Sequence, residues 1–566
     1  MTKKIILLAV VMLVALGAPS ECSLAPARQA FPHATFKQVV LNPPPLEAGG
    51  QLCVAAGDLM PLFGGSASWD KHKAIVRGAE AAVVSTGSPE ARLGGKPYLL
   101  ETAPFLLGNN FYIPLKLALA VVGQAAMDNS GADNFPLPPM QAGTGLHFRY
   151  YPVYDLRASY DPASGRLEGE LLLAYQNPHL FPLKQLHFNL PANAAYGNGS
   201  NLAVKQVIVN NRPVKASSRG SRMVVPLPQQ LAPRETVVLA ISFCTQVAEG
   251  QTRLGRSGDV SVLAGWYPVL APYSEEGWSG VAAVSYGEPY YTSAAHYRVE
   301  LALPGEFQVL ASSRLTGRYQ NGDLTVWRFS SEHPIREFTF TASTSWQLSS
   351  HQLGPVQLLL ACRDEPRDII IDTASQALNL FQEIYGPYPY SFLNIAFVPL
   401  ENFAGMEYPG LILISDSRPF SPSVIVHEMA HQWWYNLVGS DSTREAWIDE
   451  GLAEYSTLLY YRNYDPALYR DRLAEIKRLA EQTALPVNLP LEEYGSEVAY
   501  RRAVYNRGAL LWLQLEAAAG RDRLHQALAY VQRYYRYEIV PPRSLLTAIT
   551  YYGRIESDAF PHFFRN

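Results

Sequence analysis

Cysteine is scarce in this chain, and no segment concentrates charge of one sign. The four cysteines among 566 residues, Cys22, Cys53, Cys244 and Cys362, are far apart and lack CxxC spacing. This excludes a disulfide framework and a cysteine zinc knuckle, although one bridge between an unassigned pair can form after export. Lysine and arginine total 46 against 50 acidic residues, a net charge of −4. Because no basic stripe is present, the sequence argues against a nucleic-acid partner.

Long apolar runs are missing beyond the N-terminus. No later run reaches about eighteen apolar residues, which predicts a mature protein that is soluble or attached to a surface. Residues 1–22 combine Lys3 and Lys4 with an apolar run from Ile5 to Leu16 and small residues from Gly17 to Ser20. This pattern predicts a secretory signal peptide, and therefore an exported protein that is extracellular or associated with the cell envelope. An uncleaved anchor is the alternative interpretation.

The length and the 48% hydrophobic content allow several globular domains. In residues 36–128, short strand-like runs separated by Gly-rich turns predict a small α+β module. Residues 129–145 are rich in Pro and Gly and are the predicted linker. Apolar and polar residues alternate through residues 146–350, which predicts an all-β sandwich or saddle domain. Residues 357–566 combine one buried strand with helical patterns and are predicted to form a mostly helical α+β catalytic domain.

The most informative stretch is HEMAH. His427 and His431 are four residues apart, so on a helix both imidazoles project from the same face. Two nitrogens can then bind one metal. Ser421 is a candidate N-cap, Pro422 suits the first helical position, and Gly439 lies where a left-handed residue would end the helix.

A second predicted helix, over residues 446–461, carries Glu450 nineteen residues after His431. Two histidines and one carboxylate leave the fourth position of a tetrahedral Zn²⁺ open, as in catalytic sites. Glu428 cannot bind the same metal without strain, so it is free to take a proton from water. Two core histidines bonded to backbone are the alternative. Glu454, one turn after Glu450, is either a partner of a ligand histidine or a solvated surface acid.

HEMAHQWWYNLVG followed by EGLAEY, with eighteen residues between the second histidine and the glutamate, resembles the zinc aminopeptidases of the aminopeptidase N and leukotriene hydrolase group. The resemblance covers about residues 146–566. It implies a thermolysin-like catalytic domain, peptide substrates and one Zn²⁺ per chain, bound by His427, His431 and Glu450. The N-terminal module resembles the copper amine oxidase N-terminal-like domain, which implies a cell-envelope contact or a spacer. With His72 as its only histidine, it implies no copper site.

ENFAGMEYPG resembles another segment of the same family, a strand that pairs with the substrate backbone and whose glutamate binds the substrate's free amine. Ala404 and Gly405 match this strand in swapped order, and Glu407 matches its glutamate. Tyr408 replaces the family's Asn. This replacement leaves open the shape of the pocket for the first residue and strict exopeptidase behaviour.

EVAYRRAVYNRGALLWLQLE resembles the family's segment that carries a tyrosine whose hydroxyl stabilises the oxyanion. Tyr505 stands before a two-residue spacer and Gly508, in the family's register. Tyr500 matches a second aromatic residue that the family often has there.

The sequence therefore predicts an exported zinc aminopeptidase with Glu428 and Tyr505 as catalytic residues and with Ala404, Gly405 and Glu407 in the substrate site. Two alternatives remain open. One is a zinc endopeptidase of the same fold, which the Tyr408 replacement suggests. The other is a non-catalytic envelope-binding protein in which the metal only stabilises the fold.

Overall fold

The computed structural model describes residues 151–194, 198–274, 276–555 and 560–565, together with the backbone of strands between residues 46 and 114. The chain divides into two compact units, Met1–Arg149 and Tyr150–Asn566. The predicted signal peptide and linker lie outside the described residues.

The first unit contains two antiparallel sheets, in the strand orders β1-β2-β9-β8 and β3-β4-β5-β6-β7. The strands are β1 Leu46–Ala48, β2 Gln51–Ala55, β3 Ser66–Trp69, β4 Lys73–Arg77, β5 Ala81–Ser85, β6 Glu90–Leu93, β7 Lys96–Leu99, β8 Phe105–Leu107 and β9 Asn110–Pro114. Strands β4, β5 and β7 overlap the strand-like runs that the sequence shows at residues 74–76, 81–84 and 98–100. The helical part predicted for this α+β module lies outside the described residues.

The second unit begins with a β-rich part whose largest sheet has eight strands, in the order β14-β13-β17-β11-β10-β23-β26-β25. Within this sheet β10 and β23 pair in parallel, and the other pairings are antiparallel. Two four-stranded sheets, β15-β16-β12-β20 and β18-β19-β27-β24, and the β21-β22 hairpin complete this part. The strands are β10 Val153–Asp161, β11 Arg166–Gln176, β12 Leu183–Asn189, β13 Asn201–Val209, β14 Arg212–Pro213, β15 Ser217–Arg219, β16 Arg222–Leu231, β17 Thr236–Gln246, β18 Leu254–Ser257, β19 Val260–Leu263, β20 Val269–Leu270, β21 Tyr273–Ser274, β22 Gly277–Trp278, β23 His296–Pro304, β24 Gln308–Ala311, β25 Arg314–Asn321, β26 Leu324–Ser330 and β27 Phe340–Ser343.

The alternating sequence pattern explains how these strands pack. In β11 the residues at even steps from Leu167 are buried, while Glu170 and Leu172 face outward. Side chains of a strand alternate between its two faces, so this pattern places one face of the sheet on the core.

The C-terminal part combines a five-stranded sheet, in the order β28-β29-β30-β32-β31, with helices. Its strands are β28 Gln347–Leu353, β29 Val356–Cys362, β30 Phe392–Val398, β31 Gly405–Met406 and β32 Leu411–Ser415. Strands β30 and β32 are parallel to each other and buried along their whole length, whereas the short β31 lies at the edge of the sheet. The large β-rich part and the helical C-terminal region confirm a multidomain fold.

The helices of this part are α1 Arg367–Tyr385, α2 Pro422–Ala430, α3 Asp449–Tyr464, α4 Pro466–Ala480, α5 Glu497–Tyr500, α6 Gly508–Ala519, α7 Arg521–Tyr534 and α8 Pro542–Gly553. A π-helical segment, Arg501–Arg507, joins α5 to α6. In the described part of the chain, none of the helices combines the length and the apolarity that crossing a bilayer requires.

One predicted helix end is wrong. Helix α2 begins at Pro422, as predicted, but it ends at Ala430 rather than at Gly439. The chain then reverses at Tyr435, whose φ of 147° is rare for a residue with a side chain. Gly439 is required for packing instead, because a Cβ atom there would lie 2.7 Å from Cζ of Arg336. The Ser421 side chain also departs from its predicted role, since it bonds the Ser423 hydroxyl rather than the helix backbone.

Candidate metal centre

Helices α2 and α3 bring three side chains to one point. Nε2 of His427 lies 3.1 Å from Nε2 of His431, and these two nitrogens lie 3.2 Å and 3.4 Å from Oε2 of Glu450. His427 lies in the last turn of α2, and His431 directly follows the helix with helical dihedral angles, so the four-residue spacing still aligns the imidazoles. The carboxylate comes from the first turn of α3. All three groups are buried or nearly so.

These separations fit a zinc ion. Tetrahedral zinc with bonds of about 2.0–2.2 Å holds its ligands roughly 3.3–3.6 Å apart. The three donor atoms lie within 4.8 Å of one another and already approach that spacing. Two imidazoles and one carboxylate form the donor set of catalytic zinc, with one position left for water or substrate.

Outer hydrogen bonds orient both imidazoles. Nδ1 of His431 donates to the Trp434 carbonyl at 2.9 Å, which leaves Nε2 as the metal-binding atom. Nδ1 of His427 lies 3.3 Å from Oε1 of Glu454. Glu454 is only 8% exposed and accepts two hydrogen bonds from Arg472, at 2.7 Å and 3.0 Å. Of the two roles left open for Glu454, the structure therefore favours the partner of a ligand histidine.

The surrounding carboxylates favour positive charge at the two imidazoles. Burial opposes ionisation of His427, but hydrogen bonds with Glu450 and Glu454 outweigh it and raise the pKa of His427 to about 9. Burial also opposes ionisation of His431, but the hydrogen bond and the charge of Glu450 outweigh it and raise the pKa of His431 well above its ordinary value. Burial opposes the charge of Glu450, yet the two imidazoles hold its pKa far below its ordinary value. A site that stabilises two imidazolium charges also suits a divalent cation, which displaces those protons on binding.

Glu428 is the acid next to the first histidine, and it is 5% exposed. Burial raises the pKa of its carboxyl to about 8, although the charge of His427 opposes this shift. Its Oε2 atom is buried and has no hydrogen-bond partner. An acid whose pKa lies near neutrality, with one oxygen unused, is suited to accept and return a proton.

The edge strand β31 lies directly beside Glu428. A Cβ atom on Gly405 would lie 2.5 Å from Oε1 of Glu428, so only glycine allows this approach. The Ala404 carbonyl accepts a hydrogen bond from the amide of Ser415 on β32. Backbone polar groups alternate in direction along a strand, so those of Gly405 face the open edge of the sheet.

Glu407 follows this strand and is 8% exposed. Burial raises the pKa of its carboxyl, and the charge of Glu450 adds to the shift while His431 opposes it. Arg253 also attracts this carboxylate, but it forms an ion pair with Glu288 at 2.7 Å. The hydroxyl of Tyr408 is buried without a hydrogen-bond partner, and its ring packs in the core beside Met406.

Tyr505 lies in the π-helical segment, an element frequent at functional sites. Its hydroxyl donates to Oε1 of Glu450 at 2.5 Å, and its ring lies 5.9 Å from the His427 ring at an angle of 6°. Burial, followed by the charge of Glu450, raises the pKa of Tyr505 well above its ordinary value, so the hydroxyl keeps its proton. Tyr500 is buried, with its ring 5.8 Å from that of Tyr505.

The structure thus gathers His427, His431, Glu450, Glu428 and Tyr505 around one point and sets Ala404, Gly405 and Glu407 along the adjacent edge strand. Sequence reasoning missed a group of charged residues from the β-rich part, namely Arg253, Glu288, Arg336 and Glu337. The sequence offers one signal for Arg336 and Glu337, because they form a pair of opposite charges at the start of the mostly apolar run REFTFTAS.

Comparison with known proteins agrees with this geometry. The family model described as "Peptidase family M1 domain" matches residues 370–559. Aminopeptidase M1-D of Oryza sativa subsp. japonica is 26% identical over 186 residues, which cover 29% of this chain and 21% of that protein. Aminopeptidase M1 of Arabidopsis thaliana is 21% identical over 382 residues, covering 60% of this chain and 43% of that protein. This chain therefore spans only a fifth to two fifths of the length of these relatives.

Solved structures share the fold. An M1 zinc metallopeptidase from Deinococcus radiodurans is 19% identical, with a TM-score of 0.56 over 73% of this chain and 92% of that one. A mutant of that metallopeptidase, bound to a Tyr-Ser-Ala substrate, matches with a TM-score of 0.58, at 19% identity, over 73% of this chain and 94% of that one.

Proposed function

We propose that this chain, whose residues 370–559 match the peptidase family M1 model, is a zinc-dependent aminopeptidase that removes N-terminal residues from peptides. The observation that carries this proposal is the trio of donor atoms within 4.8 Å of one another, set beside a buried acid with an unused oxygen. A site that only stabilised the fold would need neither Glu428 nor Tyr505, which weighs against a non-catalytic envelope-binding protein.

His427, His431 and Glu450 hold the zinc ion in this proposal. When bound, the ion supplies Lewis acidity, which makes water nucleophilic near neutral pH and polarises the scissile carbonyl. The Glu428 carboxylate accepts the proton of the attacking water and later passes it to the departing amine. The Tyr505 hydroxyl donates a hydrogen bond to the developing oxyanion, and it turns from Glu450 to do so.

The edge strand and Glu407 define the register of the substrate. An extended peptide adds to β31 as a further strand, bonded to the outward backbone groups of Gly405. Its α-ammonium pairs with Glu407, whose buried carboxylate gains from a cation because burial and neighbouring acids disfavour its charge. The first peptide bond is then the one that reaches Glu428, which makes the enzyme an aminopeptidase.

Acetylating the substrate's N-terminus separates the aminopeptidase from the endopeptidase alternative. We expect acetylation to lower the rate of pentapeptide cleavage by about 10–100-fold, because the ion pair between the α-ammonium and Glu407 is lost. Mass spectrometry of the products, with and without chelator, measures this. Cleavage of the acetylated peptide at an internal bond, at an undiminished rate, would establish the endopeptidase. An absence of cleavage of either peptide by the zinc-loaded protein would favour the non-catalytic alternative.

Gly405→Ala tests the contact between the edge strand and Glu428. The added methyl would lie 2.5 Å from Oε1 and 2.7 Å from Cγ of Glu428, so the carboxylate must move. We expect kcat to fall by about a hundredfold, as for a misplacement of about 1 Å, while zinc content stays unchanged. Gly317→Ala is the matched control, because a Cβ atom on this strand glycine meets nothing within 4 Å. Equal rates for both variants would contradict the proposed role of the contact.

Export, the signal peptide over residues 1–22 and a cell-envelope contact through a copper amine oxidase-like module over residues 36–128 remain predictions from the sequence. Fractionation of producing cells, with mass spectrometry of the mature N-terminus, measures the first two directly. Deletion of the module, followed by the same fractionation, measures the third.

A further inference from the structure

The turn that follows α2 contains a residue with a side chain and a positive φ angle, close to the metal centre. Helix α2 ends at Ala430, and at Tyr435 the chain adopts a φ of 147°. The peptide unit between Trp434 and Tyr435 carries the carbonyl that accepts the Nδ1 hydrogen of His431 at 2.9 Å. Since rotation about φ of Tyr435 changes the direction of this carbonyl, the strained residue sets the acceptor for a zinc ligand.

Two adjacent residues of the β-rich part hold this turn. Nε of Arg336 donates to the carbonyls of Tyr435, at 3.0 Å, and Asn436, at 3.2 Å. Oε1 of Glu337 accepts a hydrogen bond from the Tyr435 hydroxyl at 2.5 Å. The side chain and the main chain of Tyr435 are thus both bonded to one dipeptide, about a hundred residues earlier in the chain.

The Arg336 guanidinium is itself fixed from several directions. It is 1% exposed, and its other nitrogens donate to the carbonyls of Thr292, at 3.3 Å, and Glu538, at 2.6 Å. Gly439 packs so closely on it that a Cβ atom would lie 2.9 Å from Nε. A rigid, fully bonded arginine can therefore hold the Tyr435 backbone in a conformation that an isolated turn would leave.

We propose that Arg336 and Glu337 are positioning residues for the zinc ligand His431, acting through the turn at Tyr435. Neither residue is among the three clustered donors of the metal centre. Their effect is to keep the Trp434 carbonyl on Nδ1 of His431, so that Nε2 is directed at the ion. The proposal rests on the zinc site of the proposed function, and it makes metal affinity depend on contacts between the β-rich and the helical parts.

Two tyrosines make a matched pair for the test, because both donate to Glu337. The Tyr435 hydroxyl bonds Oε1, and the Tyr290 hydroxyl bonds Oε2 at 3.2 Å, but only Tyr435 belongs to the turn of His431. Tyr435→Phe should raise the zinc dissociation constant about tenfold, as for other outer partners of metal ligands. Tyr290→Phe should change it by less than about twofold. Competition with a chromophoric chelator measures both constants.

Thermal unfolding of the metal-free variants separates positioning from stability. A merely structural role for Glu337 would lower the melting temperatures of both variants alike and shift both zinc dissociation constants alike, and that result would overturn the proposal. So would a Tyr435→Phe protein that binds zinc as tightly as the wild type. Visible absorption of the cobalt-loaded proteins gives an independent readout, since a turned His431 alters the ligand field. We expect an altered spectrum for Tyr435→Phe alone.

A second series keeps the test decisive if Tyr435→Phe folds poorly. Glu337→Gln retains an amide oxygen for the Tyr435 hydroxyl and should lose less than about threefold in zinc affinity, whereas Glu337→Ala should lose about tenfold. The reverse order would overturn the proposal. Wild-type protein that binds no zinc at this site would instead defeat the proposed function, so the two failures are distinguishable.

Discussion

Glu428→Gln should lower kcat for peptide hydrolysis by about a thousandfold while leaving the zinc content at one ion per chain. The glutamine amide keeps the size of the side chain but cannot accept a proton from water. Because Glu428 is not one of the three clustered donors, the metal should remain bound. Stopped-flow or discontinuous assays on aminoacyl anilides, with zinc measured by atomic absorption on the same samples, test this directly.

Stability provides the internal control for Glu428→Gln. Burial raises the pKa of this carboxyl to about 8, so the folded protein disfavours its charge. A neutral amide should therefore leave the melting temperature unchanged or raise it, and a loss of activity cannot be assigned to unfolding. Activity within about tenfold of the wild type, in zinc-loaded protein, would remove Glu428 from the proton transfer.

Removal of the metal should abolish hydrolysis, and Glu450→Ala should make that loss permanent. The wild type, stripped by a chelator and dialysed, should regain full activity when zinc is added. In Glu450→Ala one of three donors is missing, and the Tyr505 hydroxyl loses the oxygen to which it donates. Since a Lewis acid contributes several kcal/mol to catalysis, we expect a loss of at least about a thousandfold that added zinc does not reverse.

Glu454→Gln tests the loss of an outer partner, for comparison with the loss of a metal ligand in Glu450→Ala. Glu454 lies 3.3 Å from Nδ1 of His427 and outside the cluster of donors. Its loss should weaken zinc binding by about 10–100-fold, yet excess zinc should restore activity. Restoration of Glu450→Ala by excess zinc, or failure to restore Glu454→Gln, would contradict the division between ligand and outer partner described for this site.

Local periodicity accounts for what could be predicted of the metal centre. Residues four apart on a helix share a face, so the spacing of His427 and His431 by itself predicts that both imidazoles can bind one metal ion. Alternation along strands such as β11 likewise indicated a sheet with one buried face. Glu450 could be predicted as the third ligand from its sequence separation, because in the resembled family eighteen residues separate the second histidine from the glutamate.

Contacts between distant segments could not be predicted in this way. The sequence predicts a helix end at Gly439, but the helix ends at Ala430 and the glycine makes room for Arg336. The sequence within a few residues of Gly439 does not predict a contact with an arginine about a hundred positions earlier. The closeness of Gly405 to Glu428 is of the same kind, since it arises only where β31 packs against α2.

The sequence was sufficient for the His427–His431 pair, the acid beside it and the layout of β-rich and helical parts, because these follow from spacings of a few residues on regular elements. Glu450 required, in addition, the longer spacing of the resembled family. Three contacts are visible only in the folded chain: Glu454 lies beside His427, Glu428 lies against the edge strand, and Arg336 and Glu337 bond the turn that follows His431. Such contacts depend on packing between segments far apart in the chain, where no local propensity specifies which side chains meet.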